Sequence, residues 1–83
     1  MKTTLITGTS KGIGNSICKY LISKNHRVIG IARSKIDFSH QNMKHLELDI
    51  TDSMFKNNIT KIIQNEQIDN CIINAGVFNN NVF

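Results

Sequence analysis

Thr7-Gly8-Thr9-Ser10-Lys11-Gly12-Ile13-Gly14 carries three glycines in eight residues. Ahead of it, Thr3-Thr4-Leu5-Ile6-Thr7 is apolar and β-branched, the composition of a strand buried on both faces. Behind it, Ile13, Ile17 and Leu21 recur every four residues with Cys18 and Ile22 beside them, which predicts an amphipathic helix. A strand, a glycine-rich turn and a helix in that order make a phosphate site. Glycines admit positive φ and let the backbone approach a ligand without a Cβ in the way. The free N–H groups and positive dipole end of the new helix then face the anion.

The spacing narrows the kind of phosphate site. A Walker loop needs Gly-Lys followed by Ser or Thr, whereas Lys11 here precedes Gly12. The strict Gly-x-Gly-x-x-Gly pattern is missing too, since three residues separate Gly8 from Gly12 and one separates Gly12 from Gly14.

The chain has 83 residues and a formal net charge of +4, enough for one small domain with a thin core. Its basic residues, from Lys2 to Lys61, are scattered, and neither cluster nor alternate with aromatics as in a nucleic-acid binder. Cys18 and Cys71 read as small core residues in a reducing compartment. His26, His40 and His45 share no metal-ligand spacing with them and read as surface or loop residues. Met1-Lys2 leads into threonines and an early glycine with no export-type apolar region. No stretch approaches the roughly 20 apolar residues of a membrane span. The expectation is a soluble, cytoplasmic protein without nucleic-acid or membrane partners.

Along the chain, the first helix is expected from Gly12 or Ile13 to about Lys24, broken at Asn25-His26. Arg27 to Ala32 reads as a second buried strand. It completes a βαβ unit with parallel strands and a right-handed crossover. Gly30 within it is tolerable where another backbone or a ligand comes close. Ser34 to Asn42 is too short for a full crossover helix and reads as a loop or a single helical turn. Met43 to Leu48 is a third strand closed by Asp49. Thr51 or Asp52 is the expected N-cap of a second helix, whose apolar face is Phe55, Ile59, Ile62 and Ile63. Asp69 to Ile73 is a fourth strand, stopped by Asn74-Ala75-Gly76. The pattern predicts an α/β, Rossmann-like partial doubly wound sheet of four parallel strands, order 3-2-1-4, with two main helices. Ligands of such sheets lie outside the carboxyl ends of the strands, where the order reverses. The residues there are Gly8 to Gly14, Arg33-Ser34, Asp49-Ile50 and Asn74-Ala75-Gly76.

These strand-end segments resemble the short-chain dehydrogenase/reductase family over nearly the whole chain, to about Phe78. Thr7–Gly14, TGTSKGIG, is similar to the family's pyrophosphate turn. Leu48-Asp49-Ile50-Thr51 resembles the element whose acidic side chain and following backbone hold the adenine ring. Ile73-Asn74-Ala75-Gly76 resembles the Asn-Asn-Ala-Gly element lining the adenosine side, departing from it with Ile73 where the first Asn usually stands. The resemblance implies a dinucleotide-binding half-domain over residues 1–78 and an Asn-rich tail over 79–83. It implies cofactor contacts from Gly8, Thr9, Ser10, Lys11, Gly12, Ile13, Gly14, Arg33, Ser34, Asp49, Ile50, Asn74, Ala75 and Gly76.

The end of the second strand bears on which dinucleotide binds. A carboxylate there accepts from the ribose 2′-OH of NAD, and a basic residue favours the 2′-phosphate of NADP. Ala32-Arg33-Ser34 holds no acid. Arg33 can give a forked, charge-assisted contact to phosphate, and Lys11 can add a second charge. Strands about 4.8 Å apart leave both within reach of one phosphate. NADP(H) is therefore expected over NAD(H); the alternative is that both are solvated surface charges.

The family's catalytic Ser, Tyr and Lys lie beyond the adenosine-side elements, and no catalytic residue is assigned in this chain. Tyr20-Leu21-Ile22-Ser23-Lys24 fits Tyr-x-x-x-Lys. At about 1.5 Å rise per residue, however, Tyr20 is about 9 Å and Lys24 about 15 Å from Gly14, away from the phosphates. They read as a half-buried tyrosine and a lysine complementing the helix dipole. The expected function is the NADP(H)-binding portion of an oxidoreductase moving hydride between NADPH and a carbonyl or alcohol. The alternatives are a non-catalytic dinucleotide-binding or subunit-pairing module, and a gene remnant without function. The fourth strand is expected to leave an apolar edge open to a completing subunit or to self-association.

Overall fold

A computed structural model describes residues 1–74 of the chain. The elements are β1 (Thr3–Thr7), α1 (Gly12–Ser23), β2 (Arg27–Ala32), β3 (Met43–Glu47), α2 (Phe55–Ile63) and β4 (Asn70–Ile72). The strands form one parallel sheet in the order β3-β2-β1-β4. This is the partial Rossmann-like α/β arrangement expected from the sequence. Ala75, Gly76, the boundary at residue 78 and the Asn-rich tail lie outside the described residues.

The two central strands hold the core because each has a neighbour on both sides. Ile6, Val28 and Ile29 are fully buried and Ile31 nearly so, each such side chain being worth about 1.5–3 kcal/mol relative to exposure. Helix α1 packs Cys18 onto this layer, with Ile17, Leu21 and Ile22 partly buried beside it. The buried face of α1 differs from the four-residue spacing. Ile13 is 72% exposed, and Asn15 takes a buried place on the same helix. Ile13 stands in the first turn of α1 and lies outside the core cluster. Helix α1 ends where Asn25 adopts φ 66°, and His26 N–H reaches back to the Leu21 carbonyl at 3.0 Å.

Helix α2 begins later than its capping residues suggested. Asp49 Oδ1 accepts from Thr51 N–H at 2.9 Å and from Thr51 Oγ1 at 2.6 Å. Asp52 Oδ1 then accepts from Met54 N–H at 2.8 Å. Both acidic side chains therefore close turns ahead of the helix, and Met54 occupies the cap position without a side-chain bond. The apolar side of α2 is only half-buried, and no residue of the helix is fully covered.

Strand β4 is shorter than expected because Asp69 pairs with the start of β1 instead of continuing the ladder. Cys71, read from sequence as a core residue, is exposed on β4, whereas Cys18 is buried. Among the described residues β4 is an edge strand with β1 as its one neighbour, so its outer side stays open. The loop between β2 and β3 contains no helical turn. His45, read as a surface or loop residue, is half-buried in β3. At the amino ends of the strands, Glu66 binds the Arg27 guanidinium through both oxygens and sits 3.6 Å from Lys44 Nζ.

Candidate functional site

A cleft of about 630 Å³ opens at the carboxyl ends of the strands, where the sheet order reverses between β1 and β4. Gly8, Ser10, Lys11, Gly12 and Ile13 line it after β1, and Arg33 and Ser34 line it after β2. Leu48, Asp49, Ile50 and Thr51 line the side beyond β3, and Asn74 lines the side above β4. A second, more open depression of about 580 Å³ is lined by Gly12, Ile13, Asn15, Ser16, Ile17 and Tyr20 of α1. It has no strand ends and no cationic side chain in its lining.

The turn is shaped by two glycines in the left-handed region, Gly8 at φ 74° and Gly12 at φ 67°. Gly8 N–H donates to the Ile31 carbonyl at 2.7 Å, which carries the β1–β2 ladder up to the mouth of the cleft. Lys11 follows in extended conformation as the cap residue of α1, and its side chain makes no capping bond to the helix's first N–H groups. These donors and the positive end of the helix face the cleft at Gly12 and Ile13.

Gly14 and Thr9 do not line the cleft. Gly14 is where α1 meets the turn: a Cβ there would lie 2.1 Å from the Gly8 carbonyl oxygen and 2.6 Å from Asn74 Nδ2. Thr9 is fully buried, with its Oγ1 unpartnered. It drops onto β2, where a Cβ on Gly30 would come within 2.8 Å of that oxygen. Gly30 thus makes room for the side chains of Thr9 and Met43, not for a backbone or a ligand.

Several side chains that support the site were not singled out in the sequence. Asn15, 7% exposed, donates from Nδ2 to the Thr9 carbonyl at 3.1 Å and to Asp37 Oδ1 at 3.2 Å. The signal for it is a polar residue on the core-facing side of a helix, which requires a partner. Asp37 also meets Lys19 Nζ at 3.5 Å. The Asn15 amide, followed by Lys19, holds the Asp37 carboxyl below its ordinary range. His45 Nε2 lies 2.8 Å from the Ser34 carbonyl. A carbonyl only accepts, so Nε2 carries the proton. Asn74 joins the turn from β4, donating its backbone N–H to Thr7 Oγ1 at 2.9 Å and its side-chain amide to the Gly8 carbonyl at 3.5 Å.

The electrostatics of the cleft are cationic on two rims. Lys11 and Arg33 are both exposed and line the same opening. Among the described residues, the one carboxylate in the lining is Asp49. The hydrogen bonds from Thr51, with a smaller contribution from the Arg33 charge, hold it below its ordinary range. Tyr20 lies outside the cleft and, at 60% exposed, is not half-buried as its sequence suggested. Lys24 Nζ rests 5.6 Å from its ring centroid.

The family model described as "NAD dependent epimerase/dehydratase family" matches residues 4–82. The chain belongs to this family. It is 33% identical, over 98% of its length, to the 3-oxoacyl-(acyl-carrier-protein) reductase FabG of Salmonella typhimurium, of which it covers 36%. A short chain dehydrogenase family protein from Francisella tularensis superposes with a TM-score of 0.81 at 37% identity, over 89% of this chain and 31% of that one. A short chain dehydrogenase from Leptospira borgpetersenii with bound NAD+ superposes with a TM-score of 0.71 at 27% identity, over 78% and 26%. These relatives bear out the resemblance carried by Thr7–Gly14 to the short-chain dehydrogenases/reductases. The chain spans about a third of the length of these relatives. No helix among the described residues is long and apolar enough to cross a membrane.

Proposed function

We propose that the cleft binds the adenosine and pyrophosphate portion of a nicotinamide dinucleotide, and that it prefers NADP(H) to NAD(H). The observation that carries the preference is the pairing of Lys11 and Arg33 in one lining, with no carboxylate at the end of β2. The cleft fits such a group. Its glycine turn has no Cβ at Gly8 or Gly12, and the first N–H groups of α1, uncapped by the Lys11 side chain, offer the donors a pyrophosphate accepts. In this reading the backbone of Ser10 to Ile13 holds the pyrophosphate. Arg33 presents its planar fork to the 2′-phosphate, and Lys11 adds a point charge. Asp49 and Ile50 border the adenine, Ser34 the ribose, and Asn74 the adenosine side. Ala75 and Gly76 belong to the same assignment, with Thr9 and Gly14 as backbone supports.

The dinucleotide, when bound, supplies or accepts the hydride. The reaction proposed is hydride transfer between NADPH and a carbonyl or alcohol, a reading supported by relatives named as a reductase and as short chain dehydrogenases. Residues 1–78 act in it as the cofactor-binding half-domain. A cytoplasmic setting belongs to the same proposal, since Cys18 and Cys71 stand as free thiols.

The exposed edge of β4 favours a partner as well. Cys71 is exposed and Ile73 is 68% exposed beside it, and an open apolar strand edge is a template for pairing. We propose that a completing subunit or a second copy of this chain covers that edge. Sedimentation as a single concentration-independent monomer, with a cooperative melt, would overturn this.

The decisive measurement is titration of the chain with NADPH, NADP+ and NADH, following nucleotide fluorescence and thermal shift together. Saturable stabilisation by NADPH, weaker with NADH, is expected. Binding of neither nucleotide overturns the reading. Equal binding of NADPH and NADH retains the site but overturns the preference.

A further inference from the structure

The two cationic rims of the cleft are separate pieces of chain. Lys11 follows β1 in the glycine turn, and Arg33 follows β2 at the start of the loop leading to β3. One buried amide connects them. Asn15, the fourth residue of α1, uses one N–H for the Thr9 carbonyl inside the glycine turn and the other for Asp37 in the loop. The loop is held against the same helix by two further contacts. Lys19 Nζ reaches Asp37 and also lies 5.3 Å from the Phe38 ring centroid, while Phe38 packs on the core. Neither Asn15 nor Asp37 lines the cleft.

We propose that Asn15 is a positioning residue: by tying the Asp37 loop to the glycine turn it fixes the spacing of Lys11 and Arg33, and so sets how strongly a 2′-phosphate is preferred. This rests on the cofactor reading above. The physical reason is that both donors of one planar amide are spent on backbone and carboxylate partners from different segments. A shift of the loop then costs a part-buried, charge-assisted hydrogen bond. A forked Arg contact tolerates little displacement, so the preference depends on that spacing.

The test uses Asp37, whose side chain is 66% exposed, so that replacing it leaves the core intact. Asp37→Ala removes the acceptor and the charge; Asp37→Asn removes the charge but keeps an acceptor for Asn15. Comparing the two cancels the electrostatic effect of losing a carboxylate near an anion site. The expected result is an NADPH-over-NADH affinity ratio about fivefold lower in Asp37→Ala than in Asp37→Asn, the factor that one ordinary hydrogen bond is worth. Amide hydrogen exchange without nucleotide should show the Thr9–Gly12 segment, across the cleft from the substitution, exchanging about fivefold faster in Asp37→Ala alone. Equal exchange in the two variants overturns the proposal, as do equal affinity ratios. A native chain that binds no dinucleotide overturns the cofactor reading, and the exchange comparison then decides the coupling by itself.

Discussion

Gly14 and Gly8 touch so closely that the Cβ of any other residue at position 14 would fall 2.1 Å from the Gly8 carbonyl oxygen. The contact is between two stretches of backbone, one in α1 and one leaving β1, and neither can move without opening the turn. Gly14→Ala should therefore destabilise the chain by about 3 kcal/mol, the upper part of the overpacking range. Gly12 is a different case, since a Cβ there meets nothing within 4 Å but the residue sits at φ 67°. Gly12→Ala should cost about 1 kcal/mol through backbone conformation alone. Urea unfolding midpoints at unchanged m-value measure both, and a milder effect at Gly14 than at Gly12 would refute the distinction.

Thr3 and Asp69 close the other end of the sheet reciprocally. Thr3 N–H donates to Asp69 Oδ2 at 2.8 Å, and Asp69 N–H donates to the Thr3 carbonyl at 2.8 Å. Asp69→Ala leaves the Thr3 N–H without its acceptor and should cost about 1–3 kcal/mol. Asp69→Asn, which keeps an oxygen, should cost less. Equal stability of native chain and Asp69→Ala in urea would show that water replaces the carboxylate.

Acid should loosen the fold through Glu66, Asp37 and Asp49. The Arg27 guanidinium, with Lys44 adding to it, holds Glu66 below its ordinary value of 4.5. Asp37 and Asp49 are likewise held below 3.8. In each case the unfolded chain binds protons more readily than the folded one. Their stabilisation is present above about pH 4.5 and is lost as the pH falls through the lowered values. Thermal melts from pH 6 to pH 3 should show the decline, and Glu66→Gln should flatten its upper part. An unchanged profile in that variant would exclude Glu66.

Arg33→Asp should invert the cofactor preference, because a carboxylate at the end of β2 accepts from a 2′-OH and repels a 2′-phosphate. The affinity ratio of NADPH to NADH, read by fluorescence titration, should fall below one. A ratio equal to that of the native chain would remove Arg33 from the recognition.

The two thiols should differ sharply in reactivity. Burial pushes the Cys18 thiol up to about 11, while Cys71 is exposed on β4. An aromatic disulfide reagent should label one thiol rapidly in the native chain and the second only in denaturant. Rapid labelling of both would place Cys18 outside the core.

Much of this was legible in the residues because the signals are local. The β-branched runs at Thr3–Thr7 and Arg27–Ala32 and the glycine spacing at Gly8, Gly12 and Gly14 each reflect a backbone requirement that neighbouring residues meet. Four parallel strands with helices after the first and third match the opening half of a doubly wound sheet, and the expected order 3-2-1-4 came from that pattern. What the tertiary structure decided was which side chains meet across the sheet. Asn15 with Asp37, Asp69 with Thr3, and Asn74 with Gly8 are separated by 22, 66 and 66 residues, and no spacing rule reaches that far. The exposure of Ile13 and Cys71 has the same origin. Periodicity identifies an apolar face, but only packing shows whether an opposing surface covers it. The turn chemistry at Asp49 and Asp52 lay between these limits. Both residues can cap a helix or close a turn, and the structure pairs them with the N–H groups of Thr51 and Met54, two residues on in each case.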